Sequence, residues 1–205
     1  MLSLPQTTYN NKELYHYNLI EQNKITLDEL SNIDSSYSMK YSRYYLNIEE
    51  LRPFIESGEV ELESLKDTFI KYARLMCNAY IELGTDIELN DGNTYHFSLS
   101  IEDQQNIKSA VDFANLTQSS VPYHADGELC TMFSVEDINK IYANSIMYIT
   151  YHTTYFNMLK NYIQSCNDAE TIIKSYYLME LPEEYNNKLN DIISQSKNVI
   201  NNISS

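Results

Sequence analysis

From Ser134 to Cys166 the chain repeats residues at alternating steps of four and three: Ile138, Tyr142, Ser145, Ile149, His152, Phe156, Leu159, Ile163. Steps that average 3.5 residues draw one stripe along a helix. A second series, Ile141, Tyr148, Tyr155 and Tyr162, recurs at every seventh residue beside it. No Gly or Pro interrupts the run. At the standard helical rise such a helix is roughly 45–50 Å long. A stripe of this length can close a core within its own domain or seam onto another copy. The expectation is an interface through Ile138, Tyr142, Ile149, His152, Tyr155, Phe156, Leu159 and Ile163. His152 stands where an apolar residue is usual, and a polar side chain there can fix register or oligomer state.

A second long helix is predicted over Glu61–Leu83. Leu62, Leu65, Phe69, Tyr72, Met76, Ala79 and Leu83 again step by three and four, and Gly84 follows as a stop. Between the two helices the period changes to two. Ile87 and Leu89, then Tyr95, Phe97 and Leu99, alternate about Asn90-Asp91-Gly92-Asn93, a hairpin signal. Ser100 then opens a helix with Asp103 three residues on, a variant of the capping box, leading into Ile107, Ala110, Val111 and Ala114. The same plan follows at once. Val121 and Tyr123, then Leu129, Thr131 and Phe133, flank Ala125-Asp126-Gly127-Glu128, and Ser134 opens the long helix with Asp137 at the same offset. Ser100-Ile101-Glu102-Asp103 aligns with Ser134-Val135-Glu136-Asp137, as expected of two similar hairpin–helix units in series.

Outside these units the signals are weaker. Residues 1–24 show no sustained period and read as an extended, Tyr- and Asn-rich arm. Ile25–Leu30 reads as a turn or two of helix, and Asp34–Arg43 as a polar loop. A short helix is predicted over Asn47–Ser57, with Pro53 moving its real start later. Asp168 caps a helix to about Leu178. Pro182 begins a last helix with Tyr185, Leu189, Ile192, Ser196 and Val199 on one face. The fold class expected is α+β, mainly α: two β-hairpin–helix units packed with long helices, plus extra N-terminal and C-terminal helices. The segments are 1–60 (arm and short helices), 61–84 (connecting helix), 85–166 (duplicated hairpin–helix domain) and 167–205 (C-terminal helices).

Hydrophobic residues make up 43% of the 205, enough for a core. No stretch approaches the apolar length of a membrane span, so no membrane partner is expected. The opening Met1–Gln6 is too short and polar to read as a signal peptide, so no export by that route is expected. Acidic residues outnumber basic ones 29 to 14, a field that repels nucleic acid and favours solubility. Tyr is abundant at 19, with no Trp. Tyr suits interfaces, although Asn, Ile, Lys and Tyr together also fit an AT-rich genome. Cys77, Cys130 and Cys166 form no CxxC or metal pattern and lie in apolar stretches, so buried free thiols are expected.

No constellation points to catalysis. Cys130 with His124 or His152 raises a Cys–His nucleophile pair, but no Gly-rich oxyanion loop accompanies it. Asp126 and Glu128 about Gly127, like Asp91 and Asn93 about Gly92, lack the ligand ladder of a calcium loop, and turn chemistry accounts for them. Glu102-Asp103 and Glu136-Asp137 fall in first helical turns, where acidic side chains complement the helix dipole. Phosphate-loop, HExxH, GxSxG and dinucleotide patterns are missing. No enzyme activity, cofactor or metal is expected.

Val121-Pro122-Tyr123-His124-Ala125-Asp126-Gly127-Glu128 and Ile149-Thr150-Tyr151-His152-Thr153-Thr154-Tyr155, with Phe97–Asp103, resemble stretches of an uncharacterised domain family of bacteriophages and prophages. Genes of that family lie near tail-fibre and baseplate genes, and the resemblance spans about Asp86–Ser165. It implies a virion-tail context and no catalytic residue. The expectation is a structural, interaction protein at the baseplate or tail-fibre attachment. Its partners would be other tail, baseplate or fibre proteins and copies of itself, with a trimer preferred by analogy with fibres. The rivals are a fibre-assembly factor absent from the finished virion and a cell-wall hydrolase.

Overall fold

The computed structural model describes residues 10–33 and 52–203. The expected loop Asp34–Arg43, the Asn47 cap and residues 1–9 of the expected arm lie outside them. The fold class is α+β, mainly α, with two small antiparallel two-stranded sheets. In chain order come α1 (Asn11–Glu21), α2 (Leu27–Ile33), a helical turn α3 (52–56) and α4 (Leu62–Leu83). Strands β1 (Thr85–Glu88) and β2 (Thr94–Phe97), helix α5 (Ile101–Thr117), and strands β3 (Val121–Tyr123) and β4 (Thr131–Phe133) follow. The chain closes with α6 (Val135–Ser165), α7 (Ala169–Ile173) and α8 (Glu183–Ile203).

The chain divides into two compact units, Met1–Ala79 with Tyr155–Asn187 and Tyr80–Thr154 with Lys188–Ser205. Both cross the segments expected from sequence. The last turn of α4, from Tyr80, belongs to the second unit and the last third of α6 to the first, so the division crosses the expected 85–166 segment. Each amphipathic helix is long enough to supply apolar surface to two cores.

In the first unit, α1 corrects the expected extended arm. Asn10 accepts from the Glu13 amide at 2.9 Å, and the Glu13 carboxylate accepts from the Asn10 amide at 3.0 Å, a reciprocal capping box. The weak period hid this helix because its buried face carries Glu13, Leu14, Tyr17 and Asn18, only two of them apolar. Asn18 is fully buried, and its amide donates to the Tyr177 carbonyl at 2.7 Å. Tyr17 and Leu30 form a small cluster with Ile20, Ile25, Leu27 and Tyr72. Buried Leu65, Phe69, Ala73 and Met76 from α4, and Tyr155, Phe156, Leu159 and Ile163 from α6, supply further core. The Lys66 ammonium donates to the Gln164 carbonyl at 3.1 Å and to Glu63 at 2.9 Å. It thereby places positive charge at the C-terminus of α6, whose own last turn carries none. Helix α7 stops at Ile173, short of the expected Leu178, and Leu178 itself takes a positive φ of 65°.

In the second unit the two Asp-Gly turns form as expected, with Gly92 and Gly127 at φ of 79° and 78°. Strand β1 pairs β2 with Asp86 opposite His96, and β3 pairs β4 with Pro122 opposite Met132. Leu129 falls outside β4, contrary to the expected alternation. Phe97 and Phe133 meet edge-on at 6.4 Å, with Ile107, Val111, Ile138 and Ile141 buried in the same unit. Gly84 ends α4 at φ 81°, and a Cβ there would stand 1.9 Å from the Phe97 carbonyl oxygen. Only glycine permits both the turn and the close passage of β2. Helix α8 buries Leu189 but leaves Ile192 and Val199 exposed, with Ile193, Ser196 and Ile200 half-buried. Its inner face is rotated from the one expected.

Both hairpin–helix junctions use the same cap. Ser100 accepts from the Asp103 amide at 3.2 Å and Ser134 from the Asp137 amide at 3.0 Å. Ser100→Ala is expected to lower stability by about 1 kcal/mol. Chemical denaturation read by circular dichroism checks it, with a shift in midpoint and no change in slope.

Candidate functional site

The expected interface residues are mostly core. Ile138, His152, Tyr155, Phe156, Leu159 and Ile163 are each at most 3% exposed within a single chain, and only Tyr142 and Ile149 are half-buried. This corrects the reading of the stripe as a seam open to other copies: the chain's own elements already cover it. Tyr155 donates to the Met179 carbonyl at 2.7 Å and packs edge-on against Tyr177 at 5.2 Å. The Arg74 guanidinium lies over the Phe156 ring at 3.8 Å.

His152 sits among aromatic rings, Tyr148 at 4.4 Å, Tyr80 at 5.2 Å and Tyr151 at 5.3 Å. Burial pushes its pKa down to about 4, so the ring is neutral at pH 7. The Tyr148 hydroxyl donates to the Tyr80 carbonyl at 3.2 Å beside it.

The polar chemistry of the second unit gathers where the two hairpins are tied together. The Asp126 carboxylate accepts from the Ser98 amide at 3.0 Å and the Ser98 hydroxyl at 3.1 Å. The Asp126 amide in turn donates to the His96 carbonyl at 2.9 Å. In the other direction, the Asn90 amide in the first turn donates to Asp137 of α6 at 3.1 Å. Asn115 of α5 and Asn139 of α6 exchange two amide bonds, each 3.0 Å. Each hairpin–helix unit thus holds the other's turn or helix. Asp126 is a structural anchor as well as a turn residue.

His96 completes this seam. Its Nδ1 lies 2.7 Å from an Asp86 carboxylate oxygen, its Nε2 2.7 Å from the Leu83 carbonyl, and Asp126 stands 4.0 Å from Nε2. Partial burial pulls the His96 pKa down. The bonds to Asp86 and to the Leu83 carbonyl, with the charges of Asp86 and Asp126, outweigh it, and the pKa is raised above its ordinary value.

The residues considered for catalysis do not come together in this way. Cys77 and Cys166 are buried, while Cys130 is exposed, which corrects the expectation of three buried thiols. His124 is exposed, stacks on Tyr123 with ring centres 5.7 Å apart, and has Nδ1 3.2 Å from the Ala125 carbonyl. Among the described residues no group of three His, Cys, Asp or Glu side chains could hold a metal ion, and no helix is long and apolar enough to cross a membrane.

The second unit also exposes large apolar side chains. Leu129 and Met132, in and beside the second hairpin, are 86% and 64% exposed. Ile101, Phe113 and Leu116 on α5 are 72%, 56% and 84% exposed. Against this geometry, comparison with protein-family models, curated proteins and solved structures finds no match.

Two features of the site escaped the sequence pattern. The exposed apolar residues follow no period; they are the residues left over once the core faces are assigned. His96 was readable in principle, because a turn centred on Asp91 sets residues 86 and 96 opposite each other, an acid facing a histidine.

Proposed function

We propose that this chain is a structural, non-enzymatic interaction protein of a bacteriophage tail, an adaptor at the baseplate or the tail-fibre attachment. The observation that carries the reading is the exposure of Leu129 and Met132 in the stretch adjoining and following the words of the phage-family resemblance. Exposed large apolar side chains on and beside a paired hairpin are suited to contacts with another protein. The partners proposed are neighbouring tail or fibre proteins and further copies of this chain, as a trimer by analogy with fibres. In that assembly Leu129, Met132, Phe113 and Leu116 make the contacts, since the α6 stripe is already covered.

Mass spectrometry of purified virions of the phage that encodes the chain tests the proposal. The expected result is its peptides at a constant ratio to baseplate or fibre proteins. Absence from finished particles, with presence in lysates, identifies an assembly factor instead. Clearing of cell-wall suspensions by the purified chain, lost in Cys130→Ala, overturns the non-enzymatic reading.

A further inference from the structure

We infer that His96 is a proton-dependent latch, whose imidazolium form holds the first hairpin, the end of α4 and the loop of the second hairpin together. A carbonyl oxygen only accepts, so the 2.7 Å contact of Nε2 with the Leu83 carbonyl needs a proton on Nε2. An ionised carboxylate also only accepts, so the 2.7 Å contact of Nδ1 with Asp86 needs a proton on Nδ1. Both contacts are satisfied together only by the doubly protonated ring. The neutral ring must surrender one of them, leaving two acceptors facing at short range.

The charged and dipolar groups named around the ring favour its charged form, against the partial burial that opposes it. Helix α4 presents the negative end of its dipole through Leu83. Strand β1 presents Asp86, and the β3–β4 loop presents Asp126 at 4.0 Å. The same elements carry Glu82, Glu88 and Glu128, and no Lys or Arg occurs between Arg74 and Lys108. No cation on this stretch competes with His96.

The link to the second hairpin runs through Asp126. Its amide bonds to the His96 carbonyl at 2.9 Å and its carboxylate to Ser98, two residues along the same strand. A positive ring holds that carboxylate over β2. A neutral ring shifted away from Asp86 or Leu83 removes the attraction and strains the strand segment to which Asp126 is bonded. Raising the pH through the His96 titration therefore loosens the loop 124–130, which carries Leu129. The latch stands on this geometry whether or not the tail reading holds.

The test uses the full chain. The His96 ring proton is followed by NMR from pH 5 to 9, and amide exchange of 124–130 is followed over the same range after correction for intrinsic base catalysis. The expected result is a midpoint above 6.5 for the ring, with loop protection lost at the same midpoint. Asp86→Asn lowers that midpoint and Asp126→Asn lowers it less, in keeping with the longer contact. His96→Gln shows at pH 6 the loop exchange that the natural chain shows above its midpoint. A ring midpoint at or below 6.5 overturns the inference, as does loop exchange that ignores it or a His96→Gln loop as protected as the natural one. Should His96→Gln fail to fold, the coincidence of the two midpoints and the Asp126→Asn shift decide the matter.

Discussion

Replacing Phe156 by alanine is expected to lower the unfolding free energy by about 3–5 kcal/mol. Phe156 is 2% exposed, and its neighbours on the stripe, Leu159 and Ile163, are 0% and 1% exposed. Truncation removes the ring from a packed site and leaves a cavity that neighbouring backbone on two long helices cannot easily collapse. It also deprives the Arg74 guanidinium, 3.8 Å from the ring centre, of its aromatic partner. Urea denaturation monitored by circular dichroism reads the change. An effect below about 1 kcal/mol would show Phe156 to be a surface residue rather than core. The same substitution at an open oligomer seam would mainly change self-association and leave a single chain's stability little altered.

The second large effect is acid lability centred on His152. The folded pKa is about 4, against an ordinary value of 6.5, and the cause is burial. The unfolded chain therefore takes up a proton as the pH falls through 6.5, while the folded chain does not until about 4. Over that window the unfolded state binds more protons, so stability falls as the pH falls. The gap between the ordinary 6.5 and about 4 amounts to about 3 kcal/mol, fully present above pH 6.5 and lost by pH 4. His152→Gln keeps a polar side chain of similar reach without the titration. Its unfolding free energy should fall less steeply between pH 6.5 and 4, by up to that amount. Equal slopes for the two proteins would show that protonation of His152 is not what the acid acts on. His96 has the opposite sign. Its raised pKa gives stability that is complete below 6.5 and is lost as the pH rises through the folded value.

How much was legible in the sequence follows from which signals are local. The two Asp-Gly turns, the Ser-x-x-Asp caps at Ser100 and Ser134, and the stop at Gly84 each depend on a few neighbouring residues, and each appears where the pattern puts it. The period of α6 was equally plain, but a period says that a face is covered, not by what. Ile138 and Phe156 look alike in sequence whether they meet another copy or another part of the same chain. Helix α1 shows no apolar period because its docking rests on Asn18 and Tyr17. The inner face of α8 is ambiguous in sequence because Ile192 and Ile193 are adjacent, and only packing chooses between them. The His96 seam joins Leu83, Asp86, Ser98 and Asp126 through pairings set by tertiary structure, beyond the one cross-strand pair that register supplies.

The two readings of α6 part at low protein concentration. An internal core survives dissociation, whereas a stripe shared between copies does not. Sedimentation velocity and circular dichroism on one dilution series measure this directly. The expected result is that the chain, once fully monomeric, keeps its helical signal and unfolds cooperatively with Phe156→Ala as destabilising as before. Loss of helicity in step with dissociation would contradict the assignment of Ile138 and His152 in the second unit, and of Phe156, Leu159 and Ile163 in the first, to cores that one chain completes.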